Sequence, residues 1–270
     1  MNIGFIGGGR LAQALLKGFL AAGITKGSNV TASCAPEDKF SVDGLNKIGA
    51  VIEFNNKVVV NKSDLTIIAV KPNIMPLVLK EIQDTVTPKN LILSVAMGVT
   101  LEQIENALPK ETRVIRVMPN TPALVMSGAT VFAKGKKATE ADGNTTKRLF
   151  DSVGICEEVP EYLFDAVTAL SGSGPAYIYT VIEALSDGAV RMGMTRELAY
   201  KLAAQTVVGA GAMVKTGEHP GVLKDNVTSP AGSTCEGLYY LERNNVRASF
   251  IEAIEKATLK CKETSKNNSK

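Results

Sequence analysis

Glycines near the start of the chain have the spacing of a phosphate-binding turn. Gly7 and Gly9 follow the short apolar run 2–6, and the small residue Ala12 stands three positions further on, inside a helical pattern. This is G-x-G-x-x-A between a strand and a helix, where the glycines allow a tight turn and a close approach of the backbone to a pyrophosphate. The helix N-terminus then offers unpaired N–H groups to the phosphates. A turn without a ligand is the alternative, but the context favours a dinucleotide site at Gly7, Gly8, Gly9, Arg10 and Leu11.

The end of the second predicted strand bears on which dinucleotide is bound. An NAD enzyme usually carries an Asp or Glu there, bonded to the ribose 2′-hydroxyl. In this chain the strand 30–33 ends in Ser33, and the first acids are Glu37 and Asp38. A small hydroxyl leaves room for a 2′-phosphate, although no arginine stands nearby to bind it. We therefore expect NADPH as the cofactor, with NADH possible.

Two further strand ends carry residues suited to a cofactor site. Val70, Lys71 and Pro72 follow one predicted strand, and Asn120 follows another within the run 118–122. The prolines of both segments stiffen the chain where a nicotinamide would lie. Asn120 and the backbone of 95–98 are candidates to hold the carboxamide and the ribose, whereas Lys71 taken alone is more simply interpreted as a surface lysine.

A polar loop of small residues, 228–234, opens a predicted helix at 235–242. N–H groups at a helix start bind carboxylates well, and Thr234 would add a hydroxyl beside them. Serine and threonine are also common helix caps, so these residues have a purely structural alternative. From spacing alone, both interpretations stay open.

The elements that must position these residues alternate between strand and helix in the first half of the chain. Short uncharged runs typical of buried parallel strands are separated by helical segments at 74–85 and 101–108. The strand runs are 30–33, 66–70, 91–95 and 114–117. This alternation predicts an α/β fold with a doubly wound sheet, whose ligands bind at the carboxyl ends of the strands.

The second half, from about residue 164, is predicted to be almost entirely helical. The helix 176–192 is apolar on much of its circumference, and 207–213 is rich in small residues that allow helices to approach closely. A helix that is apolar nearly all round must be buried on several sides. We expect an interlocked homodimer with a large apolar interface, and a compact monomeric helical domain is the alternative.

Composition excludes several other classes of protein. The net charge of +3 on 270 residues, with scattered lysines, does not indicate nucleic-acid binding. The four cysteines and the single His219 lack metal-ligand spacing, so we expect no metal and a structural role for His219. No run is long enough to span a membrane and no secretory leader is visible. A cytoplasmic protein is the simplest expectation, and an organelle is not excluded.

Several motifs together resemble the pyrroline-5-carboxylate reductase family. The blocks 170–176 (Leu-Ser-Gly-Ser-Gly-Pro-Ala) and 219–242 are specific, and the similarity runs from residue 2 to about 260. The resemblance implies a Rossmann domain, 1–162, followed by a helical dimerisation and substrate-binding domain, 163–270. It also implies assembly as dimers, which in this family often associate further into a ring of dimers.

The resemblance also assigns roles to individual residues. It implies that the substrate, a cyclic imine carboxylate, is bound at Val227, Gly232, Ser233 and Thr234, with the Thr234 hydroxyl near the ring nitrogen. It implies that Ser33 and Asn56 meet the adenosine ribose and its 2′-phosphate. On the nicotinamide side it implies a set of cofactor residues that comprises Val70, Lys71, Pro72, Ala96, Met97 and Asn120. The chain departs from the family at Met97, usually alanine, and at Ala231, usually glycine.

The implied reaction is hydride transfer to the imine carbon of Δ1-pyrroline-5-carboxylate, which becomes C5 of the product L-proline. A cyclic imine is readily protonated near neutral pH, so positioning rather than strong acid catalysis is expected. Reduction of another imine or oxo acid, as by β-hydroxyacid dehydrogenases, is an alternative, but their usual helix lysine is absent from 176–192. A cofactor-binding regulator without catalysis is a second alternative, against which the intact substrate loop counts.

Overall fold

A computed structural model describes residues 1–267; the last three residues, which the second predicted domain includes, lie outside the described part. The chain divides into two compact units, Met1–Gly172 together with the C-terminal segment from Ala257, and Ser173–Lys256. The boundary expected between residues 162 and 163 stays a prediction. Within the described residues, none of the helices combines the length and apolar character that a membrane span requires.

The first unit is built on one eight-stranded sheet. Its strands are β1 (Ile3–Ile6), β2 (Val30–Ser33), β3 (Val51–Glu53), β4 (Leu65–Ile68), β5 (Leu91–Ser94), β6 (Arg113–Met118), β7 (Gly128–Lys134) and β8 (Gly154–Glu158). Their order is β3-β2-β1-β4-β5-β6-β7-β8, and neighbours from β3 to β6 run parallel. Strand β7 is antiparallel to β6, and β8 is parallel to β7. The predicted doubly wound sheet is confirmed.

Helices pack on both faces of this sheet because side chains alternate between the faces of a strand. The helices are α1 (Arg10–Ala21), α2 (Lys39–Ile48), α3 (Asn56–Lys62), α4 (Met75–Ile82), α5 (Leu101–Ala107), α6 (Glu140–Asp151) and α7 (Phe164–Val167). Phe5 packs in one buried cluster with residues of α1, α2 and α6, whereas its neighbour Ile6 packs in a second cluster with α3, α4 and α5. These two buried clusters hold the carboxyl ends of β1, β2 and β4 side by side at one edge of the sheet.

The second unit is helical, as predicted. It contains α8 (Gly174–Arg191), α9 (Arg196–Val214), α10 (Pro220–Asn226), α11 (Ser233–Arg243) and the first half of α12 (Val246–Asn267). Within residues 173–256, all of which the structure describes, the buried hydrophobic side chains are Ala199 and Ala203. Large apolar residues stay exposed instead, among them Tyr179, Leu202, Val208 and Ile251. A single chain therefore leaves the apolar faces of these helices uncovered.

Candidate active site

The turn between β1 and α1 has a backbone that requires glycine at its first position. Gly7 has φ of +99°, and its N–H donates a 2.8 Å hydrogen bond to the carbonyl of Ser33. A Cβ at Gly7 would lie 2.6 Å from the carbonyl oxygen of Ala69. Positive φ is readily adopted only by glycine, so the turn and the close approach of β1 to β4 both depend on this residue.

The helix that follows presents its N-terminus without a cap. Gly9 is the N-cap residue of α1, no side chain accepts from the first turn, and no acidic residue stands in that turn. The first N–H groups of a helix lack partners within it and carry the positive end of its dipole. A Cβ at Gly9 would meet nothing within 4 Å, so the space in front of the helix is open. This arrangement fits a pyrophosphate.

A cavity of about 490 Å³ lies beside this turn, within the range that accommodates small ligands and cofactors. Seven of the predicted cofactor residues line it, namely Gly7, Gly8, Gly9, Ser33, Asn56, Val70 and Lys71. The sequence therefore predicted residues from four separate segments that the fold brings to one wall. Together with the glycine turn, the size of the cavity fits a dinucleotide.

Two acidic residues on the cavity wall, Asp38 and Glu81, were not predicted as site residues. Asp38 caps α2, and its carboxylate accepts from the hydroxyl and the backbone N–H of Ser41 at 2.6 and 3.1 Å. These bonds, that from the hydroxyl first, lower the pKa of Asp38 below its usual value. Glu81 lies in the last turn of α4. Nothing in the neighbouring sequence distinguishes it from a solvent-exposed glutamate on any other helix.

Ser33, Asn56 and Glu81 form a chain of hydrogen bonds at the edge of the cavity. Ser33 Oγ lies 2.6 Å from Asn56 Oδ1, and Asn56 Nδ2 lies 2.7 Å from Glu81 Oε2. The backbone N–H of Asn56 also donates to Glu81 Oε1 at 3.3 Å. These bonds link residues of β2, α3 and α4. The family resemblance implies that the adenosine ribose binds beside two of them, Ser33 and Asn56.

The remaining predicted cofactor residues do not line this cavity. Arg10 lies over the ring of Phe40, at 5.2 Å from its centroid, and Pro72 begins a short 3-10 helix. Leu11 and Ala96 are largely packed within the protein, whereas the side chain of Met97 is 48% exposed. Their assignment to the cofactor stays a prediction.

Asn120 has a structural use for its side-chain amide. Its Nδ2 donates to the carbonyl of Ser171 at 2.9 Å, and its Oδ1 accepts from the backbone N–H of Ala129 at 2.9 Å. The amide thus joins the end of β6 to β7 and to the π-helical turn Thr168–Gly172. A role of Asn120 toward the nicotinamide stays a prediction.

In the second unit, the structure places the N-cap of α11 at Gly232 rather than at a serine or threonine. Ser233 and Thr234 are the first two residues of the helix, and no side-chain hydrogen bond caps it. Ala231, just before the cap, has φ of +54°, and a Cβ at Gly232 would collide with Ser229 Oγ. The capping alternative for Ser233 and Thr234 is therefore wrong. Val227, the fourth predicted substrate residue, is exposed in the preceding turn.

His219 has the structural role that the sequence predicted. It is the N-cap residue of α10, and its Nδ1 accepts a 3.0 Å hydrogen bond from the backbone N–H of Gly221. Acceptance at Nδ1 requires that nitrogen to be unprotonated. The imidazole thus stabilises the start of a short helix.

Comparison with known proteins supplies the family. Residues 161–264 match the model of pyrroline-5-carboxylate reductase dimerisation, and residues 2–98 match that of NADP oxidoreductase, coenzyme F420-dependent. A pyrroline-5-carboxylate reductase of Methanosarcina acetivorans is 47% identical over 266 residues, 98% of each chain. The chain belongs to the pyrroline-5-carboxylate reductase family. The resemblance deduced from the sequence motifs is therefore confirmed over nearly the full chain.

Solved structures of the family have the same fold. The pyrroline carboxylate reductase of Plasmodium falciparum with NADP bound is 33% identical, with a TM-score of 0.87 and 98% of both chains covered. The pyrroline-5-carboxylate reductase of Coxiella burnetii is 35% identical, with a TM-score of 0.90, and covers 97% of this chain and 98% of its own. Both units are thus found together in relatives of the same length.

Proposed function

We propose that the first turn of α11 binds the substrate carboxylate and that Thr234 assists the ring nitrogen in the reaction of this family. As a pyrroline-5-carboxylate reductase, the chain reduces Δ1-pyrroline-5-carboxylate to L-proline, the last step of proline biosynthesis, by hydride transfer from NAD(P)H. The single observation that carries the residue assignment is the uncapped N-terminus of α11.

For the cofactor, NADPH is the expected donor and NADH a possible one. When bound, the reduced nicotinamide supplies the hydride. Gly7, Gly8 and Gly9, with the first N–H groups of α1, would hold the pyrophosphate. Ser33 and Asn56 would meet the adenosine ribose, and Val70 and Lys71 would line the path toward the nicotinamide.

The carboxylate site rests on the backbone of the loop 228–234. With Gly232 as N-cap, the N–H groups of Ser233 and Thr234 are the first of a helix of 11 residues and need acceptors from outside it. A carboxylate accepts such bonds and is stabilised by the positive end of the helix dipole. The left-handed backbone at Ala231 and the absence of a side chain at Gly232 give the loop its shape.

The role of Thr234 follows from its place in that turn. Its side chain is half-buried, one residue into the helix. The carboxylate and the imine nitrogen belong to the same small cyclic substrate. A hydroxyl beside the bound carboxylate is therefore also close to the nitrogen. Thr234 would orient the protonated nitrogen and accept its hydrogen bond while the imine carbon takes up the hydride. No strong acid is required, because the substrate nitrogen arrives protonated.

Ser233→Pro tests the carboxylate site by removing one backbone N–H. Proline is tolerated at the first position of a helix, and the extended ψ of 165° at Gly232 suits a following proline. We expect KM for pyrroline-5-carboxylate to rise about tenfold or more, as for loss of a hydrogen bond to a charged group. Ser233→Ala keeps the N–H and should change KM less than about threefold. Equal KM values for the two variants would refute the site.

Thr234→Val removes the hydroxyl while keeping the shape of the side chain, and Thr234→Ser restores the hydroxyl. We expect kcat to fall about tenfold or more with valine, as for loss of a hydrogen bond to a charged group, and to stay within about threefold with serine. A valine variant with full kcat would show that the hydroxyl does not act in the reaction.

The chain carries the dimerisation domain of the family and forms a homodimer. We further propose that dimers assemble into a ring and that the enzyme works in the cytoplasm. The many large apolar side chains that a single chain leaves exposed support assembly. The four free cysteines support a reducing compartment. Light scattering of the purified enzyme tests the first proposal, since a mass of two subunits would contradict a ring.

A further inference from the structure

Gln13, near the start of α1, is bonded to the back of the glycine turn. We propose that Gln13 is a positioning residue for the cofactor: its side-chain amide fixes the peptide group between Gly8 and Gly9 so that the Gly9 N–H faces the pyrophosphate. The inference rests on the proposed placement of the pyrophosphate at this turn. The glycine motif itself does not predict this role, because Gln13 follows Ala12, the last position of the motif.

The side chain of Gln13 reaches back toward the start of its own helix, as helical side chains tend to do. Its Nε2 donates a 2.9 Å hydrogen bond to the carbonyl oxygen of Gly8 and lies 3.5 Å from the carbonyl oxygen of Phe40 in α2. Both neighbours only accept, so the NH₂ group, with its two hydrogens, must face them. Gln13 does not itself line the cavity. Its effect on a cofactor therefore passes through the backbone that it holds.

The bond to the Gly8 carbonyl determines the direction of the N–H that follows it. The peptide group between Gly8 and Gly9 is trans, and in a trans peptide the C=O and the N–H point in opposite directions. With the Gly8 oxygen turned toward Gln13, the Gly9 N–H points away from Gln13, and Gly9 lines the cavity with open space around it. A donor on the carbonyl also polarises the peptide group and makes its N–H a stronger donor. An anionic phosphate oxygen is the acceptor that gains most from this.

Helix α2 leaves space for this amide at a glycine of its own. A Cβ at Gly44 would lie 2.3 Å from both Nε2 and Oε1 of Gln13, so only glycine at this position makes room for the amide. A Cβ at Gly8 would lie 2.6 Å from Leu45, so the turn packs directly against the same helix. The half-buried Gln13 side chain is thus enclosed by the turn, α1 and α2, which limits the positions that its amide can adopt.

Gln13→Leu keeps most of the side-chain volume but has no hydrogen to donate to Gly8. We expect Kd for NADPH, measured by calorimetry without substrate, to rise about tenfold, as for loss of one hydrogen bond to a charged group. KM for NADPH should rise with it. Adenosine 2′-monophosphate lacks the pyrophosphate, so its affinity should stay unchanged. Gln83→Leu makes the same change at an exposed position beyond α4 and is the matched control, in which neither affinity should change.

Gly44→Ala tests the same contact without changing Gln13. The new Cβ would displace the flexible end of the Gln13 side chain, whereas alanine forms helix better than glycine in the interior of α2. We therefore expect weaker binding of NADPH by a protein that has lost no stability in urea unfolding. In a Gln13→Ala background the same substitution should leave Kd for NADPH unchanged, because no amide remains to be displaced.

An unchanged Kd for NADPH in Gln13→Leu would overturn the positioning role. An equal loss of adenosine 2′-monophosphate binding would also overturn it, because a general distortion of the site would then be responsible. A full effect of Gly44→Ala in the Gln13→Ala background would do the same, and the Gly44→Ala measurements decide alone if Gln13→Leu does not fold. Gly9→Ala separates these results from a failure of the proposed function, since unaltered NADPH affinity in that variant would refute the pyrophosphate placement itself.

Discussion

Ala231 is the residue at which this chain is expected to gain stability from a single substitution. Its φ of +54° puts an alanine in the left-handed region, which costs a residue with a Cβ about 1–2 kcal/mol. Glycine has no such cost, but it adds conformational freedom to the unfolded chain and so loses about 0.4–1 kcal/mol. Ala231→Gly should therefore raise the free energy of unfolding by roughly 0.8 kcal/mol, the difference between these two effects.

The assay is thermal and urea unfolding at fixed protein concentration, since dimerisation makes Tm concentration-dependent. A gain of this size corresponds to an increase in Tm of about 2–3 °C. Ala204→Gly is the matched control, because Ala204 is exposed in the interior of α9 and the same change there should lower stability by about 1 kcal/mol. If both variants lost stability to the same extent, the left-handed backbone of the substrate loop would be refuted.

Three further predictions concern the first unit. Gly7→Ala should destabilise this unit by about 2–3 kcal/mol in urea unfolding, because the alanine would have a positive φ and its Cβ would clash with the backbone of Ala69. Gly9→Ala should fold normally but bind NADPH more weakly in calorimetry. Loss of stability in both variants would contradict this prediction. Glu161→Ala should cost about 2 kcal/mol in the same unfolding assay, because it leaves buried Arg116 without its 2.9 Å partner; a cost below about 0.5 kcal/mol, as for a surface pair, would contradict it. Burial raises the pKa of Cys156 to about 12, so iodoacetamide at pH 8 should leave this thiol unmodified in the native protein and label it only after unfolding, as mass spectrometry would show.

Strand positions were predicted well where a strand is short, apolar and buried on both sides. The run 30–33 matches β2, the run 91–95 extends one residue beyond β5, and the run 114–117 is one residue short of β6 at each end. Strand β7 was not among the predicted strands, and its antiparallel direction depends on the turn at Thr121–Val125 rather than on side-chain periodicity. The predicted helix 74–85 spans Met75–Ile82 in the structure, because Ile74 belongs to the 3-10 helix Pro72–Ile74 and residues 83–85 form a turn.

Site residues were predictable where a local motif carries the chemistry. The turn at Gly7, Gly8 and Gly9 could be recognised from the sequence, because its backbone conformation is compatible with few residues other than glycine. Glu81 had no such signal, since its meaning depends on Asn56, 25 positions earlier in the sequence. The bonds of Asn120 were hidden for the same reason, because one partner, Ser171, lies 51 positions away. Long-range hydrogen bonds become visible only once the chain is folded.

Substrate-dependent oxidation of the reduced cofactor tests the assignment of this chain most directly. NADPH and NADH oxidation would be followed with pyrroline-5-carboxylate, alongside other cyclic imines and 2-oxo acids, with proline formation measured by chromatography. We expect turnover with pyrroline-5-carboxylate, one proline formed per cofactor oxidised, and little turnover with the 2-oxo acids. Cofactor binding without turnover of pyrroline-5-carboxylate, or turnover only of a different imine, would contradict the account.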